Sequence, residues 1–189
     1  KKKFKAEHLC IAGGVGLNCS LNGKISEKKI FKKIFIQPAS GDSGVAVGAA
    51  LVSYFKYNKN INKKFNDSPY LGYVEKSNDI KKILYNNKTK YSYRGDKIYE
   101  DTAKFLYKGK VVGWFQGQAE FGPRALGNRS ILCKPFPIKM KDHLNKNVKF
   151  REVFRPFAPS VLVENLHEYF NINQKGEHML IACKVKKNK

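Results

Sequence analysis

The sequence predicts a mixed α/β fold, and three observations carry that expectation. Short apolar runs of strand length, at residues 8–12, 33–38 and 110–116, alternate with segments of helical periodicity. Glycine and proline punctuate the junctions, at Gly13-Gly14, Pro38 and Gly109. A hydrophobic content of 42% with 13% aromatics, in a chain of 189 residues, is enough for one good core or two small ones, and excludes a disordered chain.

Taken in order, residues 8–12 are a mostly apolar run ending at Gly13-Gly14. This is the pattern of a buried strand entering a glycine turn, with a helix opening at Val15 or Gly16. Strand, turn and helix together place backbone N–H groups where a phosphate is favoured. A plain tight turn is the simpler reading, because Leu17, Asn18 and Cys19 follow without the third glycine of a dinucleotide fingerprint. A Lys-rich helix is expected over 26–33 and a second strand over 33–38, stopped by Pro38. Residues 45–55 are apolar on every side and rich in Ala and Gly, so a buried helix packed against a sheet is expected. Asp42 stands just ahead of it. The simplest role for Asp42 is an N-cap, although a carboxylate on a glycine-flanked loop also suits a metal or a ribose.

Residues 58–70 are polar, rich in Lys and Asn and closed by a proline, the composition of a linker between a segment 1–57 and a segment 71–189. Two amphipathic helices follow, at 79–85 and 98–107. Tyr91, Tyr93, Tyr99 and Tyr107 fit packing on these elements better than stacking on nucleic acid bases. Residues 110–116 read as a central strand, apolar on both faces, that delivers the chain into a loop of glycine, proline and charge over 117–127. A strand at 130–133 and a short helix at 140–148 carrying His143 come next. Pro156 and Pro159 favour an extended segment around Arg151 and Arg155, with Phe150, Phe154 and Phe157 as its anchors. A strand at 161–163, a helical turn at 166–170 and a last strand at 179–185 complete the reading.

The chain carries 37 Lys plus Arg against 15 Asp plus Glu, a formal net charge of +22. The lysines are scattered among Asn and Ile, with no aromatic RNA-binding motif or zinc-ligand spacing beside them, so a solvated, compositionally biased surface is favoured over a nucleic-acid footprint. The four cysteines, Cys10, Cys19, Cys133 and Cys183, form no C-x-x-C pair and suit the reduced thiols of a cytosol. No stretch approaches the roughly 20 apolar residues of a membrane span, and the N-terminal residues lack the apolar middle of a signal peptide. A soluble, cytoplasmic protein is expected, without a membrane partner.

One stretch stands out against the lysine background. The chain holds five arginines, and four of them, Arg124, Arg129, Arg151 and Arg155, fall within 32 residues. Arg offers a planar fork of donors that matches phosphate or carboxylate in two parallel bonds, which Lys does not. Two readings stand at this point: an oxyanion site, or structural ion pairs with Glu120, Glu152 and Glu164.

Two groups of residues then point to a family. LCIAGGVGLNCSLNGKI (9–25) and FIQPASGDSGVAVGAAL (35–51) resemble the closing part of an ATPase-like domain of the actin/sugar-kinase fold, as found in NodU/CmcH-type O-carbamoyltransferases. WFQGQAEFGPRALGNRSIL (114–132) and KFREVFRPFAPSVLVE (149–164) resemble the YrdC-like C-terminal domain of the same family, in the family's order. The resemblance implies nucleotide contact by Gly13, Gly14 and Asn18 and metal ligation by Asp42, with Fe2+ or another divalent ion. It further implies phosphate binding by Arg124, Arg129, Arg151 and Arg155, with Lys149, Ser130 and Ser160 as neighbouring donors. The implied chemistry is carbamoyl adenylate formation from carbamoyl phosphate and ATP, with Mg2+ accompanying ATP, and carbamoyl transfer to a small-molecule hydroxyl acceptor.

The resemblance has gaps. The family's HxxxH metal motif has no counterpart, since His8 stands alone and His143, His167 and His178 belong to the second segment. The chain is therefore expected to be a piece of a longer enzyme, completed by an N-terminal part. The alternative is a non-catalytic remnant that binds nucleotide, anions or nucleic acid through its basic surface.

Overall fold

The computed structural model describes residues 4–58 and 68–186. The elements in the first part are β1 (His8–Ile11), α1 (Cys19–Glu27), β2 (Lys33–Ile36) and α2 (Asp42–Tyr57). After them come α3 (Ser77–Asn86), α4 (Lys97–Tyr107), β3 (Val112–Phe115), β4 (Arg129–Leu132) and α5 (Lys139–His143). The last are α6 (Leu166–Tyr169), β5 (Phe170–Asn171) and β6 (Lys184–Val185). The fold is mixed α/β, with small sheets: β1 and β2 pair in parallel, β3 with β4 and β5 with β6 antiparallel. The linker expected over 58–70 lies mostly outside the described residues. The chain falls into two compact units. Lys1–Leu71, Glu120–Leu126 and Val161–Lys189 make the first, Gly72–Ala119 and Gly127–Ser160 the second.

In the first unit, β1 and β2 run parallel with Leu9 opposite Ile34 and Ile11 opposite Ile36, and α1 is the crossover that parallel pairing requires. The core gathers Ile34, Ile36 and Leu180, with Leu9, Leu17 and Ile25 packed against them. Two close approaches hold α1 to the segment before β6. Asn22 is buried, and its Nδ2 donates to the carbonyls of Gly16 (2.8 Å) and Leu180 (2.9 Å). A Cβ on Gly23 would stand 2.1 Å from the Ala182 oxygen, so only glycine permits this packing. On β2, the Gln174 side-chain amide accepts from the Ile34 N–H (3.2 Å) and donates to the Ile34 carbonyl (2.8 Å). It thereby satisfies backbone groups that an edge strand would leave open.

Several expectations are corrected in this unit. β1 is not buried: His8 and Cys10 are exposed and alternate with half-buried Leu9 and Ile11, because its sheet has a single partner strand. The helix expected to open at Val15 or Gly16 is α1, which starts at Cys19 and ends at Glu27; the separate helix expected over 26–33 does not form, and Lys33 already belongs to β2. α2 is a helix as expected but not a buried one, with Val45 and Val52 exposed at 67% and 70%. Hydropathy sets which faces can be buried; burial itself depends on a covering surface. The strand expected at 161–163 is irregular chain entering a 3-10 turn at Val163–Asn165, and the last strand shrinks to the two residues of β6.

In the second unit, α3 and α4 form where the apolar periodicity places them, and the Tyr99 and Trp114 rings lie 6.1 Å apart. β3 pairs with β4, with Trp114 opposite Ser130 and Phe115 opposite Arg129. β3 is half-buried on one face and exposed on the other, a strand of a two-stranded ribbon and not the expected central strand. The helix expected over 140–148 splits into α5 and a five-residue π-helical segment, Leu144–Val148.

Candidate functional site

The first group of candidate residues surrounds the glycine turn between β1 and α1. Gly13 adopts φ +90°, in the left-handed region where glycine is favoured, and Gly14–Leu17 forms a 3-10 turn. A Cβ at Gly13 or Gly14 would meet no atom within 4 Å, so the backbone here is open. Asn18 caps α1: its side-chain oxygen accepts from the Leu21 N–H at 3.0 Å. Two successive carbonyls of the turn are held by side chains from elsewhere in the unit, Gly16 by Asn22 and Leu17 by Arg124 Nη2 at 3.3 Å. The Glu120–Leu126 loop that carries Arg124 closes on itself through the Glu120 carboxylate, which accepts from the Leu126 N–H at 2.7 Å. Gly122, at φ +126°, lets this loop lie against Pro38 and Ala39, where a Cβ would come within 3.3 Å of both.

Asp42 is the first residue of α2, exposed, with Gly41 in the cap position. The N-cap role expected for Asp42 is thus taken by a glycine; its carboxylate sits in the first turn, where it complements the helix dipole. Among the described residues no three His, Cys, Asp or Glu side chains gather to hold a metal ion. Asp42 offers one ligand, and the described residues do not by themselves fit a metal centre.

The second group lies in the second unit. Arg129, at the start of β4, stacks its guanidinium 3.5 Å from the centre of the Phe115 ring. Its Nη1 donates to the carbonyls of Gln116 (2.7 Å), Asn128 (2.9 Å) and Gly117 (3.2 Å). These bonds tie both ends of the β3–β4 connection. Ser130 Oγ accepts from the Gly127 N–H at 3.0 Å, so it too shapes the loop.

The 149–160 loop presents the remaining candidates. Lys149, Arg155 and Ser160 are exposed. Arg151 is half-buried, lies 4.7 Å from the Phe157 ring centre and donates from Nε to Asn145 Oδ1 at 2.8 Å. Arg155 makes a loose ion pair with Glu152, 3.8 Å apart and exposed to solvent, one of the structural pairings that the arginine window left open. The aromatic anchoring expected here is corrected: Phe150 and Phe154 are exposed at 83% and 78%, and Phe157 serves as the face on which Arg151 stacks. The anchor is Asn145, fully buried on the π-helical segment. Nothing in the composition singled it out among the chain's many asparagines.

The structure therefore groups Arg151, Arg155, Lys149 and Ser160 on one loop, and Arg129 with Ser130 at the β3–β4 connection of the same unit. Arg124 belongs to the other unit, with Gly13, Gly14, Asn18 and Asp42. A cleft of about 160 Å³ along β2, lined by Ile34, Gln174, Lys175, Glu177 and His178 among others, contains none of these candidates.

A family model described as Carbamoyltransferase N-terminus matches residues 1–51, and one described as Carbamoyltransferase C-terminus matches residues 103–189. The chain belongs to the carbamoyltransferase family. It is 44% identical, over 95% of its length, to an uncharacterized protein of Synechocystis, of which it covers 30%. It is 42% identical, over 91% of its length, to nodulation protein NolO of Bradyrhizobium diazoefficiens, covering 32% of that protein. With the 3'-hydroxymethylcephem-O-carbamoyltransferase of Streptomyces clavuligerus it shares 34% identity over 94% of the chain and 32% of that enzyme. The chain thus spans about a third of the length of these relatives.

Proposed function

We propose that the chain contributes to an ATP-dependent O-carbamoyltransferase, with residues 71–189 forming carbamoyl adenylate in a YrdC-like domain. Residues 1–57 are then the closing part of an ATPase-like domain in which the carbamoyl group is transferred, and 58–70 the linker between them. In the first step, water releases carbamate and inorganic phosphate from carbamoyl phosphate. A carbamate oxygen then attacks the α-phosphorus of ATP, and the bond to pyrophosphate breaks. In the second step, the hydroxyl of a small-molecule acceptor attacks the carbamoyl carbon and AMP leaves. No transmembrane role enters this reading, and among the described residues no helix is long and apolar enough to cross a membrane. We place the reaction in the cytoplasm.

The observation that carries the proposal is the 149–160 loop, which exposes Lys149, Arg155 and Ser160 beside a stacked Arg151. Adenylation brings several anionic oxygens together, and fixed donors aimed at that charge lower the barrier most. Arg155, held in the loop by its main chain, keeps its guanidinium free to exchange the weak Glu152 partner for a phosphate. Arg129 and Ser130 shape the β3–β4 loop beside this chemistry in sequence. Gly13 and Gly14 offer open backbone to a nucleotide in the ATPase-like part, and Asn18 and Arg124 hold that turn in shape. A divalent metal at Asp42 requires ligands beyond the described residues, and no step here runs through one.

Titration of the chain with ATP in the presence of carbamoyl phosphate tests this reading. It expects one saturable site whose affinity falls modestly between low and physiological salt. Binding that is non-saturable in ATP, yet steep in salt for an arbitrary RNA, would instead identify a basic nucleic-acid binder.

A further inference from the structure

We infer that Asn145 is a positioning residue that sets the 149–160 loop, and with it Arg151 and Arg155, for phosphate binding. The inference rests on the reading that these arginines meet phosphates. Asn145 is 0% exposed. Its side chain has one acceptor oxygen and one donor nitrogen, and the loop engages both. Oδ1 accepts from Arg151 Nε at 2.8 Å, while Nδ2 donates to the carbonyls of Val153 (3.2 Å) and Arg155 (3.0 Å). Its main-chain oxygen accepts from the Arg151 N–H at 2.9 Å. One buried residue thus touches the loop at three positions. A buried amide left without partners is costly, so these bonds hold the loop as firmly as the loop satisfies Asn145.

The backbone explains how an asparagine reaches so far along the loop. Leu144–Val148 is a π-helical turn, closed by the Lys149 N–H on the Leu144 carbonyl at 2.8 Å. The wider turn spaces its carbonyls differently from an α-helix, and such turns recur at functional sites. Phe150 follows at φ +48° and reverses the chain, so that Arg151 returns over Asn145. With Nε engaged and Cζ 4.7 Å from the centre of the Phe157 ring, the Arg151 guanidinium is held at two points; its Nη2 makes one long contact, 3.5 Å, to the Pro156 carbonyl. The Nη edge is the part left to meet an anionic oxygen. For Arg155, Asn145 fixes the main chain and leaves the side chain in solvent, where a ligand reaches it.

The test is a double-mutant cycle on ATP affinity with Asn145→Ala, Arg151→Ala and both together. Each single variant is expected to weaken ATP about tenfold, the scale of one hydrogen bond to a charged group. The double variant is expected to lose clearly less than the product of the two single losses, because Asn145 acts in part through Arg151. Losses that multiply overturn the inference, since a merely structural asparagine lowers stability without coupling to Arg151. Where Asn145→Ala does not fold, Asn145→Asp, which keeps the acceptor for Arg151 and loses the donor to the Val153 and Arg155 carbonyls, is cycled against Arg155→Ala instead, and there its losses must fail to multiply. Saturable ATP binding without carbamoyl phosphate-dependent pyrophosphate release contradicts the proposed reaction and leaves the cycle to judge Asn145. Absence of saturable ATP binding overturns both.

Discussion

Arg124 donates to the main-chain carbonyl of Leu17 at 3.3 Å, across 107 residues of sequence. Beside it, Asn22 takes the Gly16 carbonyl, so the turn that the sequence offers for a nucleotide is clamped at two successive peptide groups. Arg124 is half-buried, and its Nε is buried without a hydrogen-bond partner. Replacing Arg124 by Met should cost about 1.5 kcal/mol, the lower end for a hydrogen bond involving a charged group. Hydrogen exchange should speed up at Gly14–Leu17 in the same variant. Unchanged exchange there would mean that the clamp has no energetic weight.

Helix α2 contains two glycines with opposite surroundings. A Cβ on Gly44 would stand 2.1 Å from the Ala39 main-chain oxygen, whereas one on Gly48 would meet nothing within 4 Å. Alanine gains about 1 kcal/mol over glycine inside a helix, and a backbone clash costs roughly 1–3 kcal/mol. Gly48→Ala should raise Tm by about 2–4 °C, and Gly44→Ala should lower it. Thermal denaturation of the two variants checks the sign of each, and equal shifts would contradict the close approach at Gly44.

Glu27 on α1 and Lys184 on β6 form an exposed ion pair of 2.9 Å. The hydrogen bond from Lys184, then its charge, holds the Glu27 carboxyl below the usual carboxylate range, and the same bond raises the Lys184 ammonium. The Glu27 contribution to stability is therefore present above the carboxylate's unfolded value and fades as pH falls through its lowered folded value. The Lys184 contribution is present below the ammonium's unfolded value and is lost as pH rises through the raised folded one. Lys184→Met should return the Glu27 titration upward in an NMR carboxyl titration. High salt should do the same in part, because both groups are exposed.

How much of this was legible depends on what each signal measures. α3 and α4 follow apolar periodicity, β1 and β2 follow short apolar runs ended by glycine or proline, and their places agree with both signals. The burial of β1, β3 and α2 is not legible in the same way, because hydropathy reports a capacity to be covered and not the presence of a cover. The arginine window stood out by composition, yet its members differ in role. Arg129 is spent on carbonyls and Phe115, Arg124 on Leu17, while Arg155 stays exposed. Spacing does not reveal which peptide group a guanidinium will find. Asn145 was invisible for a related reason: its reach depends on a π turn, and no residue pattern in 144–148 announces one.

The proposed function assigns the phosphates of an adenylation reaction to the arginines of the 149–160 loop. The most direct measurement is carbamoyl phosphate-dependent pyrophosphate release from ATP by the full gene product, with and without Arg155→Lys. This substitution keeps the charge and removes the planar fork. Losing one well-placed donor costs about 2.7–4 kcal/mol in comparable sites, so the rate should fall by about a hundredfold or more. Pyrophosphate release at close to the unaltered rate would overturn the assignment of Arg155 to phosphate.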